Sequence, residues 1–181
     1  PGSRLSEIKD HLSLMIKTTI LINKELSWRK LKRAEFLIPL NSKENYLYMS
    51  NLLHSYNNKI KNINIIIGHS HDVICSANMV ITASGTATLE AALYKKPMII
   101  VYKTSLLSWL LLKRMLLIPY IGLPNILLNR FVVPEFLQNN ATPEKISEKA
   151  VEILTDKKLQ KDLNTKFKQL HISLKKNSSE L

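Results

Sequence analysis

Short β-branched apolar runs alternate with amphipathic stretches along most of this chain, and that alternation restricts its fold more than any other feature. Residues 63–67, 79–82 and 98–102 each string together Ile, Val or Met and read as buried strands, as do residues 34–39. Between them the apolar spacing turns helical. Tyr46, Met49, Leu52, Leu53 and Tyr56 predict a helix through Asn58, and further helices are expected over residues 72–77 and 86–94. Ile8, Leu12, Met15, Ile16, Thr19 and Ile20 predict another, from near Ser6 to just before Trp28. Strands separated by helices pair in parallel, because a hairpin turn cannot join them. The expected fold is therefore α/β, a parallel sheet with helices on both faces.

The first helix has no strand before it. Pro1-Gly2-Ser3-Arg4-Leu5-Ser6-Glu7 nevertheless has the composition of a strand-to-helix turn, and the first residue is Pro instead of Met. This suggests a piece of a longer protein with its first strand missing. In a doubly wound sheet the first strand lies at the centre, so a chain without it is expected to fold poorly alone.

After Tyr102 the pattern changes. Residues 105–117 are apolar on nearly every side except at Lys113 and Arg114, which fits either a buried helix or one lying on a membrane surface. The charge-free stretch is far short of the ~20 residues that cross a bilayer. Residues 120–136 contain Pro124 and Pro134 and read as an irregular connection with short extended pieces. Thr142-Pro143-Glu144 starts a helix, with threonine as the cap and proline at the first position, that should run to Leu154. A basic amphipathic helix follows from Asp156 to about Leu174, and residues 177–181 should fray. The natural division is one main domain over residues 1–154 and a basic helix and tail over 155–181.

The net charge of +12 invites a polyanion as partner. The cations are nevertheless spread over residues 24–33, 113–114 and 157–176, and aromatic residues, 7% of the chain, do not interleave with them. A base-stacking surface would need that interleaving. Cys75 is the single cysteine, so no intrachain disulfide or cysteine-based metal site can form; its apolar surroundings place it in the core. His69 and His71 are a weak metal signal with only Asp72 beside them. The chain contains no Walker lysine, no Ser-His-Asp order and no dinucleotide fingerprint.

Ser84-Gly85-Thr86-Ala87-Thr88-Leu89-Glu90 joins a strand to a helix through one glycine. Such a turn leaves up to four helix N–H groups and the positive end of the helix dipole facing outward, and a glycine lets an anion approach. Glu90, about one turn further on, has acceptors for sugar hydroxyl groups. The same residues also suit an ordinary threonine-capped helix after a tight turn, and spacing alone does not choose between the two.

Several pieces resemble one family when read together. They are Pro1-Gly2-Ser3-Arg4, residues 83–90, Lys96-Pro97-Met98, Val101-Tyr102-Lys103, residues 119–125, residues 132–138 and, near the end, residues 167–171. In this order and spacing the chain resembles lipid-A-disaccharide synthase. The resemblance implies an inverting glycosyltransferase of the GT-B arrangement, two Rossmann-like domains across a cleft, with this chain as the C-terminal, donor-binding one. It implies transfer from UDP-2,3-diacylglucosamine to the lipid-linked acceptor 2,3-diacylglucosamine 1-phosphate, with release of UDP. No metal and no other cofactor are expected, and no nucleic-acid partner. The implied setting is cytoplasmic, peripheral to the inner membrane, with the acceptor's general base in an N-terminal domain outside this chain.

By the same resemblance, Arg4 faces the cleft and neutralises diphosphate charge, acting as a charge stabiliser as UDP leaves. Ser84, Gly85, Thr86 and Ala87 supply backbone N–H groups to the diphosphate, and Glu90 binds the ribose. Asn125 and Arg130 border the donor site, with Gln138 as a neighbour. The chain departs from the family pattern at Asn78, where an aspartate is usual, at Leu128-Asn129-Arg130-Phe131, where Ala-Gly-Arg-Glu is typical, and at His71-Asp72, which replaces Tyr-Glu. Loss of the carboxylate at Phe131 bears most on Arg130. A basic membrane-surface or nucleic-acid-binding module without catalysis is the alternative, and a different UDP-sugar transferase or epimerase is the third reading.

Overall fold

Helix α1, Leu5–Trp28, begins where Glu7 folds back over the chain ahead of it. The Glu7 carboxylate accepts hydrogen bonds from the N–H groups of Ser3, at 2.9 Å, and Arg4, at 3.3 Å. A reciprocal bond of this kind is how a helix start is fixed. In this computed structural model residues 1–56, 60, 62–115 and 118–179 are described. The chain continues through β1 (Phe36–Leu40), α2 (Lys43–Ser55), β2 (Ile63–Ile67), α3 (Ser70–Ser76), β3 (Val80–Ala83), α4 (Thr86–Leu93) and β4 (Met98–Tyr102). It then forms α5 (Leu106–Met115), α6 (Leu123–Leu128), β5 (Glu135–Leu137), a 3-10 turn at Gln138–Asn140, α7 (Pro143–Thr155) and α8 (Lys157–Ser179).

Every strand pairing is parallel, but the strands form two sheets instead of one. β1 pairs with β2, and β3, β4 and β5 form a second sheet with β4 in the middle. Among the described residues no strand joins β1 to β3. What connects the sheets is α1. One part of its buried surface, with Leu14, Met15, Ile22 and Leu26, packs with Ile99 and Val101 of β4 and with α7. Another, with Ile8, Leu12 and Ile16, packs with Leu40 of β1 and Met49 of α2. β4 is buried from Met98 to Val101, as the central strand of a sheet covered on both faces should be. Its second face packs with Ala91 and Ala92 of α4 and with Leu163, Phe167 and Leu170 of α8. The C-terminal helix is thus docked on the same core.

Three local expectations need correction. Residues 123–128 are helical, because Pro124 occupies the first helical turn, where its missing N–H has no partner to lose, and Asn129 closes the helix in a left-handed conformation, φ 47°. Cys75 is exposed, because α3 directs Val73 and Ile74 inward and leaves Cys75 outside. α8 continues to Ser179, past the expected fraying point. The expected end of α2 at Asn58 and of α5 at Leu117 lie outside the described residues. Among the described residues, no helix is long and apolar enough to cross a membrane.

Candidate functional site

In a parallel sheet the loops leaving the C-terminal ends of the strands open outward and are where ligands bind. β3 ends at Ala83 and turns through Ser84 and Gly85 into α4. Ser84 still belongs to the ladder, its N–H donating to Val101 O at 3.1 Å, while its hydroxyl donates to Ile121 O at 2.8 Å. Gly85 is the N-cap residue with φ 158° and ψ −167°. Among the described residues nothing lies within 4 Å of where a Cβ would stand. The backbone path, not crowding, therefore favours glycine, and the space before the turn is open.

The threonine-capped reading fails on geometry. No side chain caps α4; instead Thr88 is buried and turns inward, its N–H and hydroxyl both reaching Gly85 O at 3.1 and 2.7 Å. Three N–H groups, those of Gly85, Thr86 and Ala87, have no hydrogen-bond partner among the described residues. Ser84 is not a fourth, because its N–H is engaged in the sheet. The turn points its free donors along the dipole of α4 into open space, which suits an anion.

One turn along α4, the Glu90 side chain is 33% exposed and its carboxylate lies 3.6 Å from His71 Nδ1. His71 also meets the Tyr94 ring edge-on, with centroids 6.5 Å apart. Sequence reading connected His71 with His69 as a weak metal pair, whereas His69 pairs with Asp72 at 3.0 Å and His71 turns to Glu90. Among the described residues no cluster could hold a metal ion.

Arg4 caps α1 beside the end of β1. Its guanidinium is exposed and has no hydrogen-bond or ion-pair partner among the described residues. The turn ahead of it is rigid: Ser3 O accepts from the side chains of Asn41, at 3.1 Å, and Asn45, at 3.4 Å. Gly2 has φ 128°, and a Cβ there would stand 2.6 Å from Glu7 Cβ, so only glycine fits. Burial pushes the Glu7 carboxyl upward, but the N–H groups of Arg4 and Ser3 and the nearby charge of Arg4 outweigh it, holding Glu7 below the usual carboxylate range.

The segment after α5 behaves differently from expectation. Asn125 is fully buried, and its amide is saturated internally. Its oxygen accepts from the N–H groups of Val132 and Val133, at 2.7 and 2.9 Å. Its nitrogen donates to Val133 O at 2.9 Å and to Glu135 Oε1 at 2.7 Å. Glu135 also receives the N–H groups of Ile121 and Gly122. This network shapes the loop that Ser84 grips; the Asn125 side chain has no group left for a ligand. Arg130 is exposed and donates to Gln169 on α8 at 3.3 Å.

Gln138 closes β5 with a left-handed φ of 48°. Its oxygen sits 3.5 Å from the Thr104 N–H, and its Nε2 is the single buried side-chain polar atom without a partner among the described residues. Beside it, His11 of α1 accepts the Lys103 N–H at 3.0 Å. Sequence reading had passed over His11, although a histidine among Ile8, Leu12 and Met15 on a buried stripe was the available signal. A concavity of about 350 Å³ opens at the other end of β1 and β2, lined by Thr19, Asn23, Phe36 and Ile63 among others; it carries none of these groups.

The family described as Lipid-A-disaccharide synthetase matches residues 1–181. The chain is similar to proteins named Lipid-A-disaccharide synthase from Methylobacillus flagellatus, at 45% identity over 99% of this chain and 46% of that protein, and from Dechloromonas aromatica, at 41% over 99% and 46%. A third, from Chromobacterium violaceum, is 38% identical over 99% of this chain and 45% of its own length. The chain thus spans about half the length of the curated relatives it matches.

Proposed function

Because the chain belongs to the lipid-A-disaccharide synthetase family, we propose that it is the donor-binding part of a glycosyltransferase acting on UDP-2,3-diacylglucosamine and 2,3-diacylglucosamine 1-phosphate. The products are the lipid A disaccharide and UDP. The observation that carries this reading is the uncapped start of α4, where the N–H groups of Gly85, Thr86 and Ala87 converge on open space with Glu90 one turn behind. In this reading those three groups hold the donor diphosphate and Glu90 accepts hydrogen bonds from the ribose hydroxyls. Ser84 positions the turn through Ile121, and the Asn125–Glu135 network fixes the wall beside it.

The chemistry follows from charge. As the glycosidic bond breaks, UDP gathers negative charge, and donors fixed in advance stabilise it without reorganising. The exposed Arg4 guanidinium supplies a full positive charge. The acceptor hydroxyl needs a base, which this reading places in a partner domain outside residues 1–181. Residues 1–154 form the UDP-sugar unit, and residues 155–181 a basic helix docked on it.

Membrane contact belongs to the same proposal. Leu107 and Leu110 of α5 are 76% and 59% exposed, with the exposed Arg114 one turn further on. Exposed leucines beside cations suit docking on an anionic lipid surface, where the lipid-linked acceptor resides.

Calorimetry with UDP tests the donor site. Micromolar to millimolar binding is expected, with Glu90→Ala weakening it by about tenfold, the equivalent of roughly 1.4 kcal/mol. Equal affinity of wild type and variant would remove Glu90 from the site, and absence of any UDP binding would remove the reading.

A further inference from the structure

His71, which stands where the family pattern has tyrosine, lies against the one carboxylate on α4. Its helix, α3, packs on α4, and its Nδ1 is 3.6 Å from Glu90 Oε2. That distance is too long for a hydrogen bond and within reach of an ion pair. Glu90 and Tyr94 are four residues apart and so lie on one face, and the Tyr94 ring meets the imidazole edge-on at 6.5 Å. The imidazole is thus set over Glu90 by two contacts from the same part of the chain. A carboxylate has about four acceptor sites on its two oxygens. His71 faces Oε2, and Oε1 has no hydrogen-bond partner among the described residues.

The other ionisable groups around His71 are engaged elsewhere or absent. On its own helix, Asp72 pairs with His69 at 3.0 Å. Between Thr86 and Leu93, α4 carries no ionisable side chain besides Glu90, and after the Tyr94 phenol Lys95 turns to His171 of α8, at 3.1 Å. β1, on which α3 also packs, has none from Phe36 to Leu40.

We propose that His71 is a positioning residue for the ribose of the donor. As the imidazolium it holds the Glu90 carboxylate through Oε2, so that Oε1 is presented to the ribose hydroxyls; as the neutral ring it releases the carboxylate. This rests on the donor-site reading above, in which Glu90 takes the ribose. The gain lies in side-chain freedom that Glu90 no longer loses when the ligand arrives, and for a partly exposed pair it is modest. Histidine changes charge between pH 5 and 8, whereas a tyrosine keeps its proton throughout that range. Because the ligand-binding arrangement favours the proton on His71, affinity is higher at acid pH and falls as pH rises through the titration of the ring.

Calorimetry of residues 1–181 with UDP-N-acetylglucosamine from pH 8 to pH 6 tests this. Neither phosphate of that probe loses a proton in this range, in contrast to the terminal phosphate of UDP. Wild-type affinity is expected to rise about threefold on acidification. His71→Asn should stay level at the weaker value and His71→Lys level at the stronger one, while His69→Asn, whose ring faces Asp72, should keep the wild-type rise. A level wild-type profile, a rise that survives His71→Asn, or a rise lost with His69→Asn overturns the proposal. Glu90→Ala separates it from the reading beneath it. Binding as tight as wild type in that variant discards Glu90 as the ribose residue and His71 with it, whereas weakened binding beside a level wild-type profile retains Glu90 and discards His71 alone.

Discussion

His11 is held from both sides by groups that allow one protonation state. Its Nδ1 lies 2.7 Å from Glu7 O, which only accepts, so Nδ1 carries the proton. Nε2 must then accept from Lys103 N–H. Protonating Nε2 would set donor against donor in a site 2% exposed. Burial lowers the His11 pKa, against the opposing pull of its bond to Glu7 O and of the Asp10 and Glu7 carboxylates; Tyr102 is the ring neighbour on β4. A folded pKa below the unfolded value of about 6.5 means that the unfolded chain takes the proton more readily. Stability is therefore lost as pH falls through ~6.5 and levels off below the folded pKa. Glu7 acts in a lower window, where its depressed carboxyl contributes stability above the unfolded carboxylate range and loses it on further acidification. Urea midpoints at pH 7.5 and 5.5 should accordingly fall for the wild type and fall by less for His11→Gln, whose remaining loss includes that of the Pro1 amino group, lowered by burial to about 6. A wild-type midpoint that rises toward pH 5.5 would contradict the buried neutral state.

Among the elements, α5 has the clearest separate test. Leu107 and Leu110 face outward on a helix whose exposed Arg114 favours anionic surfaces. Co-sedimentation with vesicles containing phosphatidylglycerol should drop several-fold for Leu107→Asp with Leu110→Asp, with fold retained by circular dichroism. Unchanged sedimentation would assign membrane contact elsewhere. The strands and most helices were legible in the chain because β-branched runs and helical spacing are local signals: Ile63–Ile67 and Met98–Tyr102 match residue for residue. Helix α6 was not, because Pro124 was read as a breaker when its position decides whether it breaks or starts a helix. The Gly85 turn was legible for the same local reason. Asn125 was not, since its role depends on Val132, Val133 and Glu135 folding back around it, and Arg130 depends on where α8 passes. Spacing along a chain carries no information on which way a saturated amide faces.

At the scale of the molecule, the proposed reading assigns residues 1–181 the donor turn and its counter-charge and leaves the acceptor to the other half. Purified residues 1–181 should show no disaccharide formation from the two acyl-sugar substrates, and activity should appear when the remaining half of a relative is supplied. Turnover by residues 1–181 alone would place a base within this chain and overturn the division of labour proposed above. The cations behind the +12 charge are spread along the chain over residues 24–33, 113–114 and 157–176. One feature reaches further than the site: α1 packs on both sheets, with Arg4 at its start beside β1, while the Gly85 turn is carried by β3. In the proposed reading the helix works as a caliper whose jaws are the Arg4 and Gly85 turns and whose setting is the girth of Leu12, Met15 and Ile16. Changes in those side chains, distant from any phosphate, would alter which spacing of negative charges the jaws can grip.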